Sequence, residues 1–271
     1  MNMYQSYYGM SCNPFSKEVD IHHFYESHDL KELIYRFQYL TEIKGIGVFT
    51  GSPGLGKTFS IRSFTNSLNP DLYKVIYISA TSNMTSFDFF KEIGDAFHID
   101  TGSCYKTDLY HNIQKEILLL VEQEKRMPVI IIDDAHHLSR EIFLNLKILY
   151  EFDMDSKDYI TLLLIGKPEL KYELSKNVYD YLKQRILVNY KLEGFTRQEV
   201  KEYIESRFQL ANVNHEIFSE DALNALYSCS KSSPRRLNAL ILNCLLLGYQ
   251  NKKEIIDSEI VMIAKGEMDL E

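Results

Sequence analysis

One segment, GSPGLGKT at residues 51–58, constrains the fold of this chain more than any other feature. It matches the full pattern of a phosphate-binding loop, Gly-x-x-x-x-Gly-Lys-[Ser/Thr]. Glycines here let consecutive backbone N–H groups turn toward a phosphate without a Cβ clash, and the helix that follows directs its positive dipole end at the same anion. An apolar run precedes the segment and a helical pattern follows it, which is the setting that such a loop requires.

The residues of this loop have expected roles toward a nucleotide. Lys57 is expected to neutralise the β- and γ-phosphates of ATP and so to act in catalysis, and the Thr58 hydroxyl is expected to bind Mg²⁺. The alternative is a glycine turn with an incidental lysine, but the whole pattern arises by chance only about 0.01 times in a chain of this length. The predicted nucleotide-binding residues are Gly51, Ser52, Pro53, Gly54, Leu55, Gly56, Lys57, Thr58 and Phe59.

Short apolar runs alternate with helical patterns from about residue 45 to 192, as in a parallel sheet with crossover helices. From Thr196 onward no strand pattern follows: Thr196–Glu199 is a capping box, Ser219 precedes a second helical pattern, and Pro234 stands where a third helix would begin. We therefore predict an α/β core with an N-terminal extension over residues 1–193 and a small helical domain over residues 194–271. The predicted strands span 45–50, 74–79, 129–133, 159–165 and 186–192, and the predicted helices of the core span 86–98, 107–126 and 139–152.

The apolar run Val129–Ile132 ends in two carboxylates, Asp133 and Asp134. A P-loop ATPase needs a second Mg²⁺-orienting group at such a strand end, and Asp133 fits that role. Asp134 points in a different direction and is the candidate general base for the attacking water. A surface turn is the alternative reading of two such acids. His136 and His137 follow, but without a third ligand at a recognisable spacing a polar or packing role is preferred to metal binding.

Composition limits the classes of partner. Lys and Arg total 30 against 38 Asp and Glu, and a net charge of −8 argues against binding polyanions over the whole surface. The N-terminal sequence has no secretory pattern, and the longest apolar stretch, residues 239–249, is too short to span a bilayer. We therefore expect a cytoplasmic protein with no membrane partner. The cysteines form no CxxC pair and are assigned no function: Cys12, Cys104, Cys229 and Cys244.

A set of motifs in a fixed order resembles an AAA+ ATPase, specifically the ExeA/TniB/TnsC/MuB-like group. The resemblance covers almost the whole chain, and the ordered set makes it more specific than the phosphate loop alone. It implies an αβα core with a parallel five-stranded sheet, a C-terminal helical lid, ATP between them, and self-assembly into rings or filaments. Besides the loop, the motifs are YYG at 7–9, NPF at 13–15, IDDAHHL at 132–138, LIGKPEL at 164–170, QRI at 184–186, YIESR at 203–207 and PRRLN at 234–238.

The resemblance also implies roles for three arginines. Arg185 looks like the arginine finger that completes a neighbouring subunit's site by stabilising charge on the γ-phosphate. Arg235 looks like the lid arginine known as sensor 2, and Arg236 is the fallback for that role. Composition alone would leave these arginines as solvated surface charges.

Three positions depart from the group's pattern. Asp134 stands where the group commonly has glutamate, so the base is one methylene shorter and hydrolysis is expected to be slow. Lys167 occupies the position of a neutral polar residue known as sensor 1, which leaves that role unassigned. Ser232 and Ser233 replace a glycine before the Pro-Arg pair, a change that affects the loop carrying Arg235.

The lead functional hypothesis is a regulator of DNA transposition. ATP binding would drive polymerisation on duplex DNA, the assembly would recruit or activate a DDE-type transposase, and hydrolysis would promote disassembly. Residues 230–253 carry five basic side chains and no Asp or Glu, so this segment is a candidate DNA-contacting face, and Lys91 and Lys106 are further candidates. A lid helix with solvated ends is the alternative for the same segment.

Two other functions remain open. An ExeA-like ATPase of secretion-machinery assembly is expected to be longer, with a membrane span and a periplasmic wall-binding region. Because this sequence ends at Glu271 with neither, the expectation favours transposition. The third hypothesis is a nucleotide-gated scaffold that barely hydrolyses ATP, which the shorter carboxylate of Asp134 would permit.

Overall fold

A computed structural model describes residues 3–16, 25–101, 105–150, 152 and 158–268. Contacts divide these residues into two compact units. One unit runs from Glu32 to Ser52 and from Lys57 to Leu192, and it contains the sheet. The other unit takes the described residues up to Lys31, the short segment Pro53–Gly56, and the described residues from Glu193 onward.

The first of these units is built on a five-stranded parallel sheet with the strand order β2-β3-β4-β1-β5. Strands β1 and β4 are buried along their whole length, as are the last six residues of β3, because central strands of a parallel sheet are covered on both faces. This confirms the predicted α/β class, and each predicted strand is present with its ends within two residues. The strands are β1 (Ile46–Thr50), β2 (Tyr73–Ser79), β3 (Met127–Asp133), β4 (Thr161–Gly166) and β5 (Ile186–Lys191).

The helices of the chain are numbered in sequence order. Within the sheet-containing unit, α4 begins at a capping box in which Thr85 and Asp88 exchange hydrogen bonds between side chain and backbone. The α-helices are α1 (Met3–Tyr7), α2 (His28–Ile43), α3 (Lys57–Ser67), α4 (Ser86–Ala96), α5 (Lys106–Glu122), α6 (Arg140–Asn145), α7 (Glu169–Leu174), α8 (Asp180–Lys183), α9 (Arg197–Leu210), α10 (Glu220–Ser230), α11 (Pro234–Gln250) and α12 (Ser258–Met268).

One predicted helix, over residues 139–152, is wrong in its length. The α-helix α6 ends at Asn145, and Leu146–Leu149 form a 3₁₀ turn. The Tyr150 N–H correspondingly bonds the Lys147 carbonyl, three residues back. Apolar spacings of three and four residues do not distinguish these two hydrogen-bond patterns, so the sequence could not reveal the tighter turn. Residue 151 lies outside the described residues.

The second unit is helical. Thr196 forms the predicted capping box with Glu199, Ser219 caps α10, and Pro234 is in the first turn of α11. After residue 193, β-type pairing within the described chain is limited to one isolated bridge, between Phe218 and Ile256.

The N-terminal extension packs with these helices. Tyr8, Met10 and Phe15 are buried in the same apolar cluster as the side chains of α9 to α12, and the Tyr8 hydroxyl donates a hydrogen bond to the Lys253 carbonyl at 2.9 Å. The sequence pattern predicts residues 1–193 as the core with an N-terminal extension, whereas the described N-terminal residues up to Lys31 belong to the helical unit. The reason is long-range packing, which no local pattern encodes.

A membrane span was not expected, and none of the helices in the described ranges is long and apolar enough to cross a bilayer. The free cysteines within those ranges are Cys12, Cys229 and Cys244, of which only Cys12 is exposed. Cys104, the fourth cysteine of the sequence, lies outside the described residues.

Candidate nucleotide-binding site

The predicted phosphate loop joins the end of β1 to the start of α3, which begins at Lys57. The Gly51 N–H donates to the Gly166 carbonyl at 3.1 Å, so the loop begins against the end of β4. Gly54 and Gly56 have φ values of +84° and +89°, a left-handed conformation that favours glycine. The loop therefore has the backbone geometry that the glycine spacing predicts.

Lys57 extends from the first turn of α3 back onto the loop. Its side chain is buried, and Nζ donates hydrogen bonds to the carbonyls of Gly51 at 2.7 Å and Ser52 at 3.0 Å. A buried ammonium needs such partners because desolvation is costly. These contacts hold the charge of Lys57 beside the loop, where an anion can take over as its partner.

Asp133 joins the end of β3 to α3. The Thr58 hydroxyl donates to Asp133 Oδ2 at 2.7 Å, and the Tyr77 hydroxyl donates to the same oxygen at 3.2 Å. The Asp134 N–H donates to Asp133 Oδ1 at 2.9 Å, so both oxygens of this buried carboxylate have partners. Burial and the negative charge of Asp133 together raise the pKa of Tyr77, which keeps its hydroxyl protonated as a donor.

Thr58 and Asp133 suit Mg²⁺ because a hydroxyl and a carboxylate are hard oxygen ligands. No group of three or more His, Cys, Asp or Glu residues able to hold a metal occurs in the part of the chain that is described. Mg²⁺ bound here would therefore share its ligands between this pair and phosphate oxygens, as is usual for magnesium at nucleotide sites.

Asp134 occupies a strained position directly after β3. Its φ and ψ are 52° and 33°, a left-handed conformation that Asp tolerates better than most residues, and half of its side chain is exposed. Its carboxylate is therefore accessible to water, whereas Asp133 is buried. Strain of this kind is often found at functional sites.

Arg185 lies between α8 and β5 and interacts with its own chain. Its Nη1 donates to Asp158 Oδ1 at 3.2 Å, and its guanidinium carbon lies 5.7 Å from the centre of the Tyr150 ring. Only about a quarter of its side chain is exposed. A role as arginine finger would require it to exchange these contacts for a neighbour's γ-phosphate.

Arg235 and Arg236 differ in their surroundings. The Arg235 side chain is exposed. The backbone N–H of Arg235 donates to the Gly54 carbonyl of the phosphate loop at 3.4 Å. The Arg236 Nε donates to the Cys229 carbonyl at 3.0 Å, so this side chain supports the end of α10. Ser232 adopts φ +59°, a left-handed conformation, and Ser233 caps α11.

The basic residues considered for DNA binding are partly engaged in ion pairs. Lys253 pairs with Asp257 at 2.6 Å, and Lys106 pairs with Glu141. Lys231 and Lys252 are exposed and have left-handed backbone conformations.

Sequence reasoning missed three residues of this region. Tyr77 lies on the neighbouring strand β2, and Asp158 and Tyr150 flank Arg185 only in the folded chain. The motifs that identify the site do not include them, since each acts through a contact between distant parts of the sequence.

Comparison with known proteins supports the class of fold. Residues 41–172 match the family model described as "AAA domain". That segment contains the phosphate loop, Asp133 and Asp134, and the strand order is that of the AAA fold. The chain therefore resembles an AAA domain over residues 41–172, and it has the α/β AAA fold followed by a C-terminal helical region.

A curated relative is similar along nearly the whole chain. General secretion pathway protein A of Aeromonas hydrophila is 28% identical over 264 residues, which is 97% of this chain and 48% of that protein. The chain thus spans about half the length of this relative.

Two solved structures share the fold. Cdc6p from Pyrobaculum aerophilum aligns with a TM-score of 0.67 and 14% identity, over 95% of this chain and 72% of that one. The Aeropyrum pernix ORC1 protein, solved in complex with DNA, aligns with a TM-score of 0.60 and 18% identity, over 90% and 66%. At these identities the likeness concerns the fold alone.

Proposed function

We propose that the chain binds MgATP at residues 51–59 and hydrolyses it, and that it serves secretion-machinery assembly in the manner of General secretion pathway protein A. The arrangement of three side chains supports the catalytic part. Lys57 Nζ donates hydrogen bonds to two carbonyls of the loop, and the Thr58 hydroxyl donates to Asp133 Oδ2 at 2.7 Å. A lysine charge and a magnesium-ligand pair at one loop are what phosphoryl transfer from ATP requires.

The proposed roles follow from the chemistry of each side chain. Lys57 exchanges its bonds to loop carbonyls for β- and γ-phosphate oxygens, with a gain in charge pairing. Thr58 and Asp133 orient Mg²⁺, and Tyr77 keeps the Asp133 carboxylate in place through its hydroxyl. The metal, when bound, neutralises charge that develops on the phosphates.

Asp134 is the proposed general base. Its exposed carboxylate accepts a proton from the attacking water, and its reach is one methylene shorter than that of glutamate. Hydrolysis is therefore slow in this proposal. A chain that barely hydrolyses ATP, and acts as a nucleotide-gated scaffold, is the limiting case of the same geometry.

Arg185 is proposed to act in trans on a neighbouring copy. A site completed by a second protomer binds ATP more tightly in the assembled state, so ATP favours self-assembly by linkage. The Asp158 carboxylate holds the guanidinium in the single chain and must release it on assembly. Arg235, in the helical unit, is proposed to respond to the nucleotide through its backbone contact with Gly54.

The similarity to General secretion pathway protein A supports the secretion role, since it extends along 97% of this chain. It also removes the length argument for transposition. The chain covers only 48% of that relative, so similarity here concerns the region that the two share.

Regulation of DNA transposition is retained as a second candidate because residues 230–253 carry five basic side chains and no acidic one. The proposed partners in that case are further copies of this chain, duplex DNA and a DDE-type transposase. The exposed Lys231 and Lys252 are the DNA contacts that this segment offers best. Lys253 contributes less, because Asp257 already neutralises it.

Phosphate release from ATP by the purified chain tests this proposal. We expect turnover per protomer to rise with protein concentration, and to fall at least about a hundredfold in Asp134→Asn, which keeps the shape of the side chain but lacks the base. Equal turnover in the wild type and this variant would refute Asp134 as base. Stimulation by duplex DNA at low salt would favour transposition, and turnover that is indifferent to DNA would favour the secretion role.

A further inference from the structure

His136 lies between the carboxyl ends of β3 and β4. It belongs to the short 3₁₀ turn Ala135–His137 that follows Asp134, and it packs against Gly166 at the end of β4. A Cβ on Gly166 would stand 3.2 Å from the His136 backbone nitrogen and 3.3 Å from its Nδ1. The imidazole therefore packs closely against the Gly166 backbone, which precedes Lys167.

The two ring nitrogens of His136 have different surroundings. Nδ1 accepts a long hydrogen bond from the Lys167 N–H at 3.5 Å and lies 3.8 Å from Asp134 Oδ1. An Nδ1 that accepts implies a neutral ring with its proton on Nε2. Burial, followed by electrostatic interactions with His137 and Lys167, lowers the pKa of His136 against smaller opposing effects of Asp134 and Glu169, and it favours this neutral form.

Nε2 is buried and has no hydrogen-bond partner within the described ranges, and only 7% of the side chain is exposed. Leaving a buried donor unpaired costs about 1–3 kcal/mol. An apolar side chain of similar volume would avoid that cost, so packing alone does not account for a histidine here. What an apolar side chain lacks is the acceptor at Nδ1.

We propose that His136 is a positioning residue for hydrolysis: its Nδ1 holds the Lys167 amide and thereby fixes the end of β4 relative to the Asp134 carboxylate. The inference rests on the proposed role of Asp134 as base. Because the neutral ring carries no proton on Nδ1, it donates no hydrogen bond to Asp134 and leaves that carboxylate free to accept one from water. The sequence pattern alone predicts only a polar or packing role for His136.

Two substitutions distinguish the effect of the hydrogen-bond acceptor at Nδ1 from the effect of the volume of the ring. In His136→Asn, Oδ1 is bonded to Cγ, as Nδ1 is in histidine, so an acceptor stays within reach of the Lys167 N–H. In His136→Gln, the polar atoms lie one bond further out, near the place of Nε2. His137→Asn is the matched control, because His137 is the exposed neighbour in the same turn.

Single-turnover hydrolysis and hydrogen exchange of the Lys167 amide, each measured on the full chain, test the proposal. We expect His136→Asn and His137→Asn to hydrolyse ATP within about threefold of the wild type. His136→Gln should be about 10–100-fold slower at saturating ATP, since small misplacements of a catalytic group have effects of this size, while its affinity for ATP stays unchanged. The Lys167 amide should exchange at the wild-type rate in the Asn variant and at least about tenfold faster in the Gln variant.

Equal hydrolysis rates in the Asn and Gln variants would overturn the proposal, and so would equal exchange of the Lys167 amide. Loss of ATP affinity in the Gln variant alone would also contradict it, because His136 would then act on binding. If the wild type binds ATP without hydrolysing it, the proposed function is wrong in its catalytic part. The exchange rates then decide by themselves whether His136 holds the Lys167 amide.

Discussion

Substitution of Gly54 by alanine tests how the phosphate loop is built into the helical unit. Gly54 has φ +84°, and a Cβ there would stand 2.6 Å from Ser233 Oγ and 3.0 Å from Arg235 Cβ. The loop backbone therefore approaches the first turn of α11 as closely as glycine allows. Gly56 supplies a matched control, because its φ is +89° and, among the described residues beyond its chain neighbours, no atom lies within 4 Å of its Cβ position.

The magnitudes follow from these two environments. Either alanine must adopt a left-handed conformation, which lowers the stability of the folded chain by about 1–2 kcal/mol. Alanine also reduces the conformational entropy of the unfolded chain, which offsets about 0.4–1 kcal/mol of this loss. Gly56→Ala should therefore lower the free energy of unfolding by about 1 kcal/mol. Gly54→Ala must also displace Ser233 or Arg235, and crowding of this kind adds about 1–3 kcal/mol.

Urea unfolding of nucleotide-free protein measures this difference. The chain contains no tryptophan, so far-ultraviolet circular dichroism is the suitable signal. We expect a lower midpoint for Gly54→Ala than for Gly56→Ala, corresponding to at least about 1 kcal/mol. Equal midpoints would refute the close approach of Gly54 to α11.

Three further predictions concern Asp134, Arg185 and His136. Asp134→Glu should hydrolyse ATP about tenfold faster, because its carboxylate reaches further. The same variant should unfold more easily, because glutamate tolerates a left-handed backbone less well than aspartate. Slower hydrolysis by the glutamate variant would show that the shorter carboxylate already fits its site. Arg185→Ala should bind ATP as tightly as the wild type in dilute solution, but its turnover should no longer rise with protein concentration. Asp158→Asn weakens the contact that holds Arg185 in the single chain, so it should reach full turnover at a lower protein concentration. Wild-type turnover in Arg185→Ala would refute the role of Arg185 as arginine finger. The pKa of His136 is lower in the folded chain than in the unfolded chain, so unfolding takes up a proton at mildly acidic pH. The contribution of His136 to stability is therefore fully present above about pH 6.5 and is lost as the pH falls toward the folded-state pKa. In urea unfolding at a series of acidic pH values, His136→Asn should lack this loss, and the same pH dependence of stability in the wild type and the variant would contradict the prediction.

Local patterns predicted much of this fold. The strand ends were readable because buried parallel strands are continuous apolar runs, and Thr196 and Ser219 mark helix starts through capping bonds that span three residues. The phosphate loop and Asp133 were readable because their chemistry fixes both residue type and position in the sheet.

Contacts between distant segments were not predictable in the same way. Tyr77 reaches Asp133 across 56 positions, and Tyr8 reaches the Lys253 carbonyl across 245. Neither tyrosine differs in the sequence from a core aromatic. The contact of His136 with the Lys167 amide likewise depends on β3 and β4 being neighbours in the sheet, although 31 positions separate the two residues.

Calorimetric titration of MgATP into nucleotide-free protein tests the central claim most directly. The account predicts saturable binding by the wild type and by Lys74→Ala, a control lysine on β2. Lys57→Ala should bind at least about a hundredfold more weakly, since it loses a charge-assisted contact to the phosphates. Unchanged affinity in Lys57→Ala would show that the loop at residues 51–58 does not hold the nucleotide, and the account would then be wrong.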